Sequence, residues 1–154
     1  MIRRFVTDDL EGAAEVFRSA FAGDPWKEKW NIELAKKRIS ELMSAPQSVG
    51  YVYTDSGEII AILCGRKLTY LHGTEYVIDE FCVNPDMQHS GVGSALLAYA
   101  RNELAGEKVV AMALLTGKGK PSEKFYIKNG FKEIDDMIFM YYFFEKKESI
   151  NDQT

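Results

Sequence analysis

The feature that most constrains the fold is a strand-like run that passes through a glycine-containing loop into a long helical pattern. Residues 76–83 are rich in β-forming side chains, a polar loop covers 84–90, and the helical pattern starts near Gly91 and ends before Gly106. Residues 108–115 are almost continuously apolar, which is typical of a strand covered on both faces. The sequence therefore predicts a central strand–helix–strand unit.

The segments on either side of this unit add hairpins and further helices. Before the unit, they predict a strand over 2–6, a helix that Thr7 caps and that ends near Gly23, a helix that Asn31 caps and that ends before Pro46, and strands over 47–54 and 58–65. After it, they predict a helix that starts at Pro121 and ends just before Gly130, and a hairpin of strands 131–134 and 137–144. This order predicts the α/β class, with a central twisted mixed β-sheet and helices on both faces. Residues 1–144 are expected to form a single domain and 145–154 a polar tail.

The composition argues against several classes of protein. The 154 residues carry a formal net charge of −4, so the chain lacks the basic footprint of a nucleic-acid-binding protein. No apolar run is long enough to span a membrane, and the N-terminus lacks the core of a secretion signal, so a cytoplasmic location is expected. Cys64 and Cys82 lie in apolar runs and predict buried thiols, whereas His72 and His89 are isolated, so no metal site is expected.

The glycines at the start of the central helix predict a site for an anionic group. The first N–H groups of a helix have no partner within it, and together with the helix dipole they attract phosphate. Gly91 and Gly93 would let the backbone approach such a ligand closely. By spacing alone, a tight turn that needs glycine only for packing explains the pattern equally well, since the motif is shorter than the known nucleotide-binding fingerprints.

Two longer segments carry more specific motifs. The first is Phe81-Cys82-Val83-Asn84-Pro85-Asp86-Met87-Gln88-His89-Ser90-Gly91-Val92-Gly93-Ser94-Ala95-Leu96-Leu97. The second is Pro121-Ser122-Glu123-Lys124-Phe125-Tyr126-Ile127-Lys128-Asn129-Gly130-Phe131. They resemble, in the right order and at the usual separation, motifs A and B of the GCN5-related N-acetyltransferases. The predicted order of strands and helices fits that family over residues 1–144.

The resemblance implies acetyl-coenzyme A (acetyl-CoA) as cosubstrate and a binding site along both motifs. The residues it places beside acetyl-CoA are Phe81, Cys82, Val83, Gln88, His89, Ser90, Gly91, Val92, Gly93, Ser94, Thr116, Ser122 and Phe125. It also implies that the strands part around Val83 and Leu115 and offer backbone groups to the pantetheine arm. The sequence departs from the family at Gly119, where an asparagine often helps to hold the cofactor; the neighbouring lysines are an alternative phosphate contact.

Two adjacent acids precede the glycine loop on its strand. An amine must lose its proton before it can attack a thioester, so an acetyltransferase needs a carboxylate near its acceptor. Asp79 and Glu80 are the candidates, although adjacent strand residues point to opposite faces unless a bulge intervenes. The alternative is an ion pair with a neighbouring Arg or Lys. Polyamine-acetylating relatives carry acids at this offset, which favours a role in substrate binding and proton relay for both, with Glu80 slightly preferred as the base.

Aromatic residues supply the other candidates. Tyr126 matches the family's general-acid tyrosine, and a protonated phenol can donate to a leaving thiolate; the alternative is a core aromatic residue. Trp26 and Trp30 lie between the first two helices, where the family often closes over the acceptor. With Asp24 and Glu28 nearby they could hold an ammonium group, and simple packing explains them equally well.

The sequence thus predicts an enzyme that transfers acetyl from acetyl-CoA to a primary amine of a small molecule or peptide. The main alternative is a non-catalytic acyl-CoA sensor on the same fold, and a second is an unrelated nucleotide-binding or interaction domain. The acceptor is not specified by the sequence. Because homodimers are common in the family, a homodimer is expected, and the aromatic stretch from Phe139 to Phe144 could lie in the core or meet a partner subunit.

Overall fold

The computed structural model describes residues 1–145 and contains one five-stranded β-sheet with the strand order β1-β2-β3-β4-β5. The strands are β1 (Ile2–Arg4), β2 (Ser48–Asp55), β3 (Glu58–Tyr70), β4 (Gly73–Val83) and β5 (Val109–Ala113). The helices are α1 (Leu10–Ala22), α2 (Ile32–Met43), α3 (Val92–Gly106) and α4 (Pro121–Lys128), with 3-10 turns at Thr7–Asp9 and Pro85–Met87.

The sheet is mixed, as predicted. Strands β1 to β4 pair antiparallel in sequence order, and β5 pairs with β4 in parallel after the crossover through α3. Side chains alternate along β3, so that Ala61 and Leu63 face the core under α3, whereas Ile62 and Cys64 face the core under α1 and α2. Helices therefore cover both faces, and the crossover places the start of α3 at the end of β4.

Local signals in the sequence define several helix ends. The Asn31 side chain accepts a hydrogen bond from the Leu34 N–H at 2.8 Å, which caps α2 as predicted. Gly130 has φ of 91° and follows α4, and the Phe131 N–H donates to the Tyr126 carbonyl at 3.0 Å. This is a Schellman closure, and the rings of Tyr126 and Phe131 pack edge to face with centroids 5.3 Å apart.

The predicted N-cap at Thr7 is wrong. Thr7 begins a 3-10 turn whose N-cap is Val6, and α1 starts only at Leu10. The reason is Asp9, a buried carboxylate that accepts bonds from the Arg3 guanidinium at 2.7 and 2.9 Å and from the Val6 N–H at 2.8 Å. These bonds tie the turn back to β1, which ends at Arg4 rather than at residue 6.

We expect Asp9→Asn to lower the free energy of unfolding by about 2 kcal/mol at neutral pH, because it removes a buried, charge-assisted contact. The hydrogen bond with Arg3 is the main reason why the pKa of Asp9 lies below its usual value. A lowered pKa means that this stability is present above about pH 4 and is lost as the pH falls through the folded-state pKa. Urea unfolding across this range should therefore show the two proteins converging in acid. Asp8→Asn is the control, since Asp8 is exposed.

Two predictions for the C-terminal part of the chain are wrong. The run 108–115 is not covered on both faces: β5 spans only Val109–Ala113, and Val110 is 56% exposed. The predicted hairpin of 131–134 and 137–144 does not form, and these residues pair with no strand of the described chain. An apolar pattern indicates that a strand needs a partner, but it does not say where the partner comes from.

The described residues also bear on the predictions from composition. Cys64 and Cys82 are free and buried, as expected. Within residues 1–145, no helix has both the length and the apolar composition that crossing a membrane requires. In the same range, no group of three or more His, Cys, Asp or Glu side chains is arranged so that it could hold a metal ion.

Candidate active site

A gap opens between the two parallel strands. Strand β4 pairs with β5 only from Thr74 to Val77, whereas its last six residues, Ile78 to Val83, continue beyond the end of β5 at Ala113. The strands therefore part at the place that the resemblance implied. Unpaired backbone N–H and C=O groups at such a gap are available to an extended ligand.

The loop between β4 and α3 is braced by its own side chains. The Asn84 side chain accepts from the Asp86 N–H at 2.9 Å, the Gln88 amide donates to the Val83 carbonyl at 3.2 Å, and the Ser90 hydroxyl donates to the Met87 carbonyl. His89 adopts φ of 61°. The side chains of Gln88 and Ser90 thus hold the loop, and its backbone is left to face a ligand.

The two glycines of the loop serve different purposes. Gly91 has φ of 87°, a left-handed conformation that glycine adopts without strain. In α3 the Ala95 N–H donates to the Gly91 carbonyl at 3.0 Å, so the N–H groups of residues 92–94 precede the first intrahelical bond. At Gly93 an added Cβ would lie 3.3 Å from the Phe125 ring and 3.4 Å from Val83. Gly91 shapes a helix start whose first N–H groups have no partner within the helix, and Gly93 lets motif B pack against it.

We expect Gly93→Val to weaken acetyl-CoA binding about tenfold or more, because its methyl groups must displace the Phe125 ring or the end of β4. Titration calorimetry with acetyl-CoA measures the effect. Gly106→Val at the other end of α3 is the control, since an added Cβ there meets nothing within 4 Å. Equal affinities for the two variants would contradict the packing role assigned to Gly93.

Aromatic rings line the gap on the α4 side. Phe81 of β4 contacts Phe125 and Tyr126 of α4 with ring centroids 5.5 and 6.2 Å apart, in edge-to-face arrangements. Burial raises the pKa of Tyr126 above its ordinary value, and the charges of Cys82 and Glu80 add to the effect. Tyr126 therefore remains protonated at physiological pH, as a proton donor must be. The thiol of Cys82 lies in the core under α1 and α2, so only its backbone can serve a ligand in the gap.

A β-bulge separates the two acids. Glu80 pairs with Cys64 of β3, but the next residue of β3, Gly65, pairs with Ile78, so Asp79 is an extra residue in β4. The bulge breaks the strict alternation that would point the two acids to opposite faces. Their side chains are only 14% and 15% exposed, for Asp79 and Glu80 respectively. The structure thus contains the bulge that would allow both acids to face the same pocket.

Each acid has its own arginine. Arg66 of β3 binds both oxygens of Asp79, with Nε to Oδ2 at 2.8 Å and Nη2 to Oδ1 at 3.0 Å. Arg38 of α2 donates twice to Glu80, from Nε at 3.2 Å and from Nη2 at 2.8 Å, and both bonds end on Oε1. Among the described residues, none donates a hydrogen bond to Oε2 of Glu80. The two carboxylates therefore differ: both oxygens of Asp79 accept hydrogen bonds, whereas only one oxygen of Glu80 does.

The electrostatic environment of Glu80 shifts the pKa of its carboxyl group. Burial is the largest influence on Glu80 and raises its pKa above the ordinary carboxyl value, while the hydrogen bond from Arg38 opposes the rise. The negative charge of Asp79 also raises it. A carboxylate whose pKa is shifted toward neutrality is a stronger base than a free one.

The two tryptophans, which lie between α1 and α2, pack against aromatic residues of α1. Trp30 packs edge-on against Phe17 at 4.7 Å and donates its Nε1–H to Glu28 at 3.0 Å. Trp26 packs against Phe21 at 5.6 Å, and the Lys120 ammonium lies 5.7 Å from the centre of its ring. The segment between α1 and α2 therefore contacts the segment that leads into α4. The Lys120 contact demonstrates that the Trp26 face accepts a cation.

The segment before α4 differs from the family pattern at Gly119. This residue has φ of 77°, and its N–H donates to the Glu123 carboxylate at 2.6 Å. Lys118 pairs with Glu133 at 3.2 Å. The hydroxyls of Thr116 and Ser122 lie 2.6 Å apart and join the end of β5 to the start of α4. The asparagine of the family is thus replaced by a glycine turn.

Sequence reasoning missed Arg38 and Arg66 as members of the site. Arg38 is on the polar side of an amphipathic helix, where a lone arginine carries no signal. Arg66 was easier to predict, since a hairpin that turns at His72-Gly73 places Arg66 across from Val77, two residues before Asp79. Its position could have been found from the strand pairing.

Comparison with known proteins bears on the family and the fold of this chain. The sequence model of the acetyltransferase (GNAT) domain matches residues 46–133, more than half of the chain. No curated protein sequence matches significantly. A transcriptional regulator from Bacillus halodurans C-125 superposes with a TM-score of 0.74 at 22% identity, over 92% of this chain and 99% of that one. AAC(6')-Iy, in complex with a CoA-based bisubstrate analogue, superposes with a TM-score of 0.71 at 19% identity, over 92% and 97%.

A ribosomal-protein-alanine N-acetyltransferase from Brucella melitensis biovar Abortus 2308 superposes with a TM-score of 0.73 at 13% identity, over 93% of this chain and 99% of that one. The three similar structures share the mixed sheet, and at these identities they establish the fold alone. The match to the domain model defines an acetyltransferase. This chain belongs to the GCN5-related N-acetyltransferase family.

Proposed function

We propose that this protein transfers the acetyl group of acetyl-CoA to a primary amine of a small molecule or peptide, by direct attack of the amine, with Glu80 as base and Tyr126 as acid. The observation that carries the proposal is that Glu80, with one free carboxylate oxygen, and the partly buried phenol of Tyr126 both lie at the gap between the parted strands. Acetyl-CoA would supply the activated acyl group as a thioester. Residues of this chain would bind acetyl-CoA, accept the proton of the amine and protonate the leaving sulfur.

The residues around the gap fit the shape and charge of coenzyme A. The N–H groups at the start of α3 face an anion, which suits the pyrophosphate. The unpaired backbone from Phe81 to Val83 suits the amides of pantetheine, and Phe125 supplies an apolar wall beside it. Gly93 permits the approach of α4 that closes this wall.

Glu80 is assigned the role of base because one of its oxygens is free. Oε2 can accept a proton from the acceptor's ammonium group, directly or through water, while Oε1 remains bound to Arg38. The neutral amine then attacks the thioester carbonyl, and the bond between carbon and sulfur breaks. Asp79, held by Arg66, contributes negative charge that favours a cationic acceptor and raises the pKa of Glu80.

Tyr126 is assigned the role of acid toward the leaving sulfur. Its raised pKa keeps the phenol protonated until the thiolate forms. The proton passes from the phenol to sulfur, which releases coenzyme A, and the phenolate regains a proton from solvent or from the acceptor's own nitrogen. Trp26 and Trp30, between α1 and α2, are assigned to the wall against which the acceptor packs.

The proposal is tested by two measurements on the purified protein. Thermal shifts with acetyl-CoA, ATP and NAD identify the nucleotide, and we expect a shift with acetyl-CoA alone. Release of coenzyme A is then followed over a panel of peptide N-termini, lysine peptides, polyamines, aminoglycosides and small amines. Binding without release for any amine would favour the acyl-CoA sensor, and no shift with acetyl-CoA would exclude both readings.

The Arg38 contact makes the pH profile diagnostic. Activity should rise with pH as Glu80 loses its proton, along a limb that lies above the ordinary carboxyl range. Arg38→Gln removes the guanidinium that lowers the pKa of Glu80, so the limb should move to higher pH. Arg66→Gln is the matched control and should shift the limb less, since Arg66 binds Asp79. Equal shifts would contradict Glu80 as the titrating base.

A further inference from the structure

A lysine of this chain lies on the face of a tryptophan that is assigned to the acceptor wall. The Lys120 ammonium is 5.7 Å from the centre of the Trp26 ring, within the range of a cation–π contact. Trp26 belongs to the segment that joins α1 to α2, and Lys120 is the residue immediately before α4. The contact therefore joins that segment to the start of the helix that carries Tyr126.

The indole face, rather than a carboxylate, holds the Lys120 ammonium. Two nearby lysines do have acidic partners: Lys27 pairs with Asp24 at 3.2 Å. Lys118 pairs with Glu133, also at 3.2 Å. In the described part of the chain, no carboxylate forms an ion pair with Lys120. Its place at the N-cap of α4 adds no stabilisation, because the N-terminal end of a helix dipole favours anions.

A glycine leaves the space that the stem of Lys120 occupies on its way to the ring. The Lys120 N–H donates to the Gly117 carbonyl at 3.2 Å, and an added Cβ at Gly117 would lie only 2.6 Å from Cγ of Lys120. A larger residue at position 117 would therefore push the stem aside. The local structure of the loop thus favours the contact with Trp26.

The segment that carries Trp26 also brings negative charge to the proposed base. The Glu28 carboxylate accepts the Trp30 Nε1–H on Oε1 at 3.0 Å, and its charge is one of the influences that raise the pKa of Glu80. Trp30 packs against the core cluster that contains Cys64, and Cys64 is the residue paired with Glu80. An acid two residues after Trp26 therefore acts on the carboxylate that is assigned to accept the acceptor's proton.

We propose that the Trp26 face is the subsite for a second positive charge of the acceptor, and that Lys120 occupies this subsite until a dicationic amine displaces its ammonium. The inference rests on the proposed function, because it selects among the amines that the enzyme would acetylate. The exchange replaces one cation–π contact with another and returns the lysine to water, and a single contact of this kind on a partly exposed ring is weak enough to be displaced. An acceptor with one charge leaves Lys120 in place.

Binding of a cation at Trp26 is measured first without acetyl transfer. The probe is tetramethylammonium, which binds aromatic faces and cannot be acetylated. The NMR signals of the two indole N–H groups, assigned through Trp26→Leu, report which ring it meets. We expect the Trp26 signal to move, with a Kd about two- to fivefold lower in Lys120→Met, which corresponds to the ~0.5–1 kcal/mol of an exposed cation–π contact. Lys118→Met is the matched control: it removes the same charge from the same loop and should leave the Kd unchanged.

The effect on acceptor specificity is measured by the release of coenzyme A from acetyl-CoA. Diamines with terminal amino groups and increasing chain length are compared with amino alcohols of the same length, which carry one charge fewer. Lys120→Met should raise kcat/KM for the best diamine about two- to fivefold and leave that for the amino alcohol unchanged. Trp26→Leu should lower kcat/KM for the diamine, and in the double variant the gain from Lys120→Met should disappear.

The two measurements distinguish failure of this subsite from failure of the proposed function. Tighter binding of the probe at Trp26 in Lys120→Met, in a protein that acetylates no amine, would support the exchange of cations and contradict the reaction. Acetylation in which Lys120→Met gains nothing with diamines, or gains no more than Lys118→Met, would overturn the subsite and leave the reaction intact. A loss of acetyl-CoA affinity in Lys120→Met, measured by calorimetry, would assign the ammonium to the phosphates of the cofactor and would also overturn the subsite.

Discussion

Replacing Glu80 with glutamine is expected to lower kcat/KM by about 10²–10³-fold, with acetyl-CoA affinity nearly unchanged. Glutamine keeps the size and the hydrogen bond from Arg38 but cannot accept the proton of an ammonium group. General bases contribute about 10²–10⁴-fold, so the loss should fall within that range. The acid limb of the pH profile should disappear at the same time, since the group that titrates is gone.

Asp79→Asn is the matched control for this experiment. Both oxygens of Asp79 are held by Arg66, so this side chain is a poor proton acceptor, and we expect a much smaller loss that falls mainly on KM for a cationic acceptor. Steady-state kinetics with the best amine from the screen separates the two results. A larger fall in kcat for Asp79→Asn than for Glu80→Gln would exchange the assigned roles.

Replacing Tyr126 with phenylalanine is expected to lower kcat by about 10²-fold while leaving acetyl-CoA affinity largely intact. The ring contacts with Phe81 and Phe131 are kept, so the packing of α4 should not change. Only the hydroxyl that donates to the leaving sulfur is removed. The rate of coenzyme A release at saturating substrates measures kcat, and calorimetry measures the affinity.

Tyr99→Phe serves as the control for the loss of a tyrosine hydroxyl. The Tyr99 hydroxyl donates to Glu103 at 3.1 Å on α3, away from the gap, and its loss should leave turnover unchanged. An unchanged rate of coenzyme A release in Tyr126→Phe would instead make Tyr126 a packing residue. Another donor, water included, would then have to protonate the sulfur.

Much of the fold could be predicted because the deciding interactions are local. The cap at Asn31, the end of α4 at Gly130 and the glycine start of α3 each depend on residues within one helical turn. Thr7 was the exception, since the contact of Arg3 with the carboxylate of Asp9, six residues away in sequence, reshaped the turn.

The residues of the candidate site could be named from the sequence, whereas their arrangement could not. Motif spacing brought forward Gly91, Gly93 and Tyr126, and the adjacent acids followed from their position in β4. That Asp79 occupies a bulge depends on its register with β3, which spacing within β4 cannot reveal. The difference between the two acids comes from Arg38 and Arg66, which lie far away in sequence.

By itself, the sequence determined the helix caps, the strand–glycine loop–helix unit and the family motifs, because each is encoded within a short stretch of chain. Only the tertiary structure decided which oxygen of Glu80 stays free and that the Lys120 ammonium contacts the Trp26 ring. It also decided that the aromatic stretch from Phe139 to Phe144 has no partner strand in the described chain. The physical reason is the separation in sequence over which the two kinds of interaction act. Hydrophobic periodicity states that a surface must be buried, whereas long-range pairing in three dimensions determines what buries it.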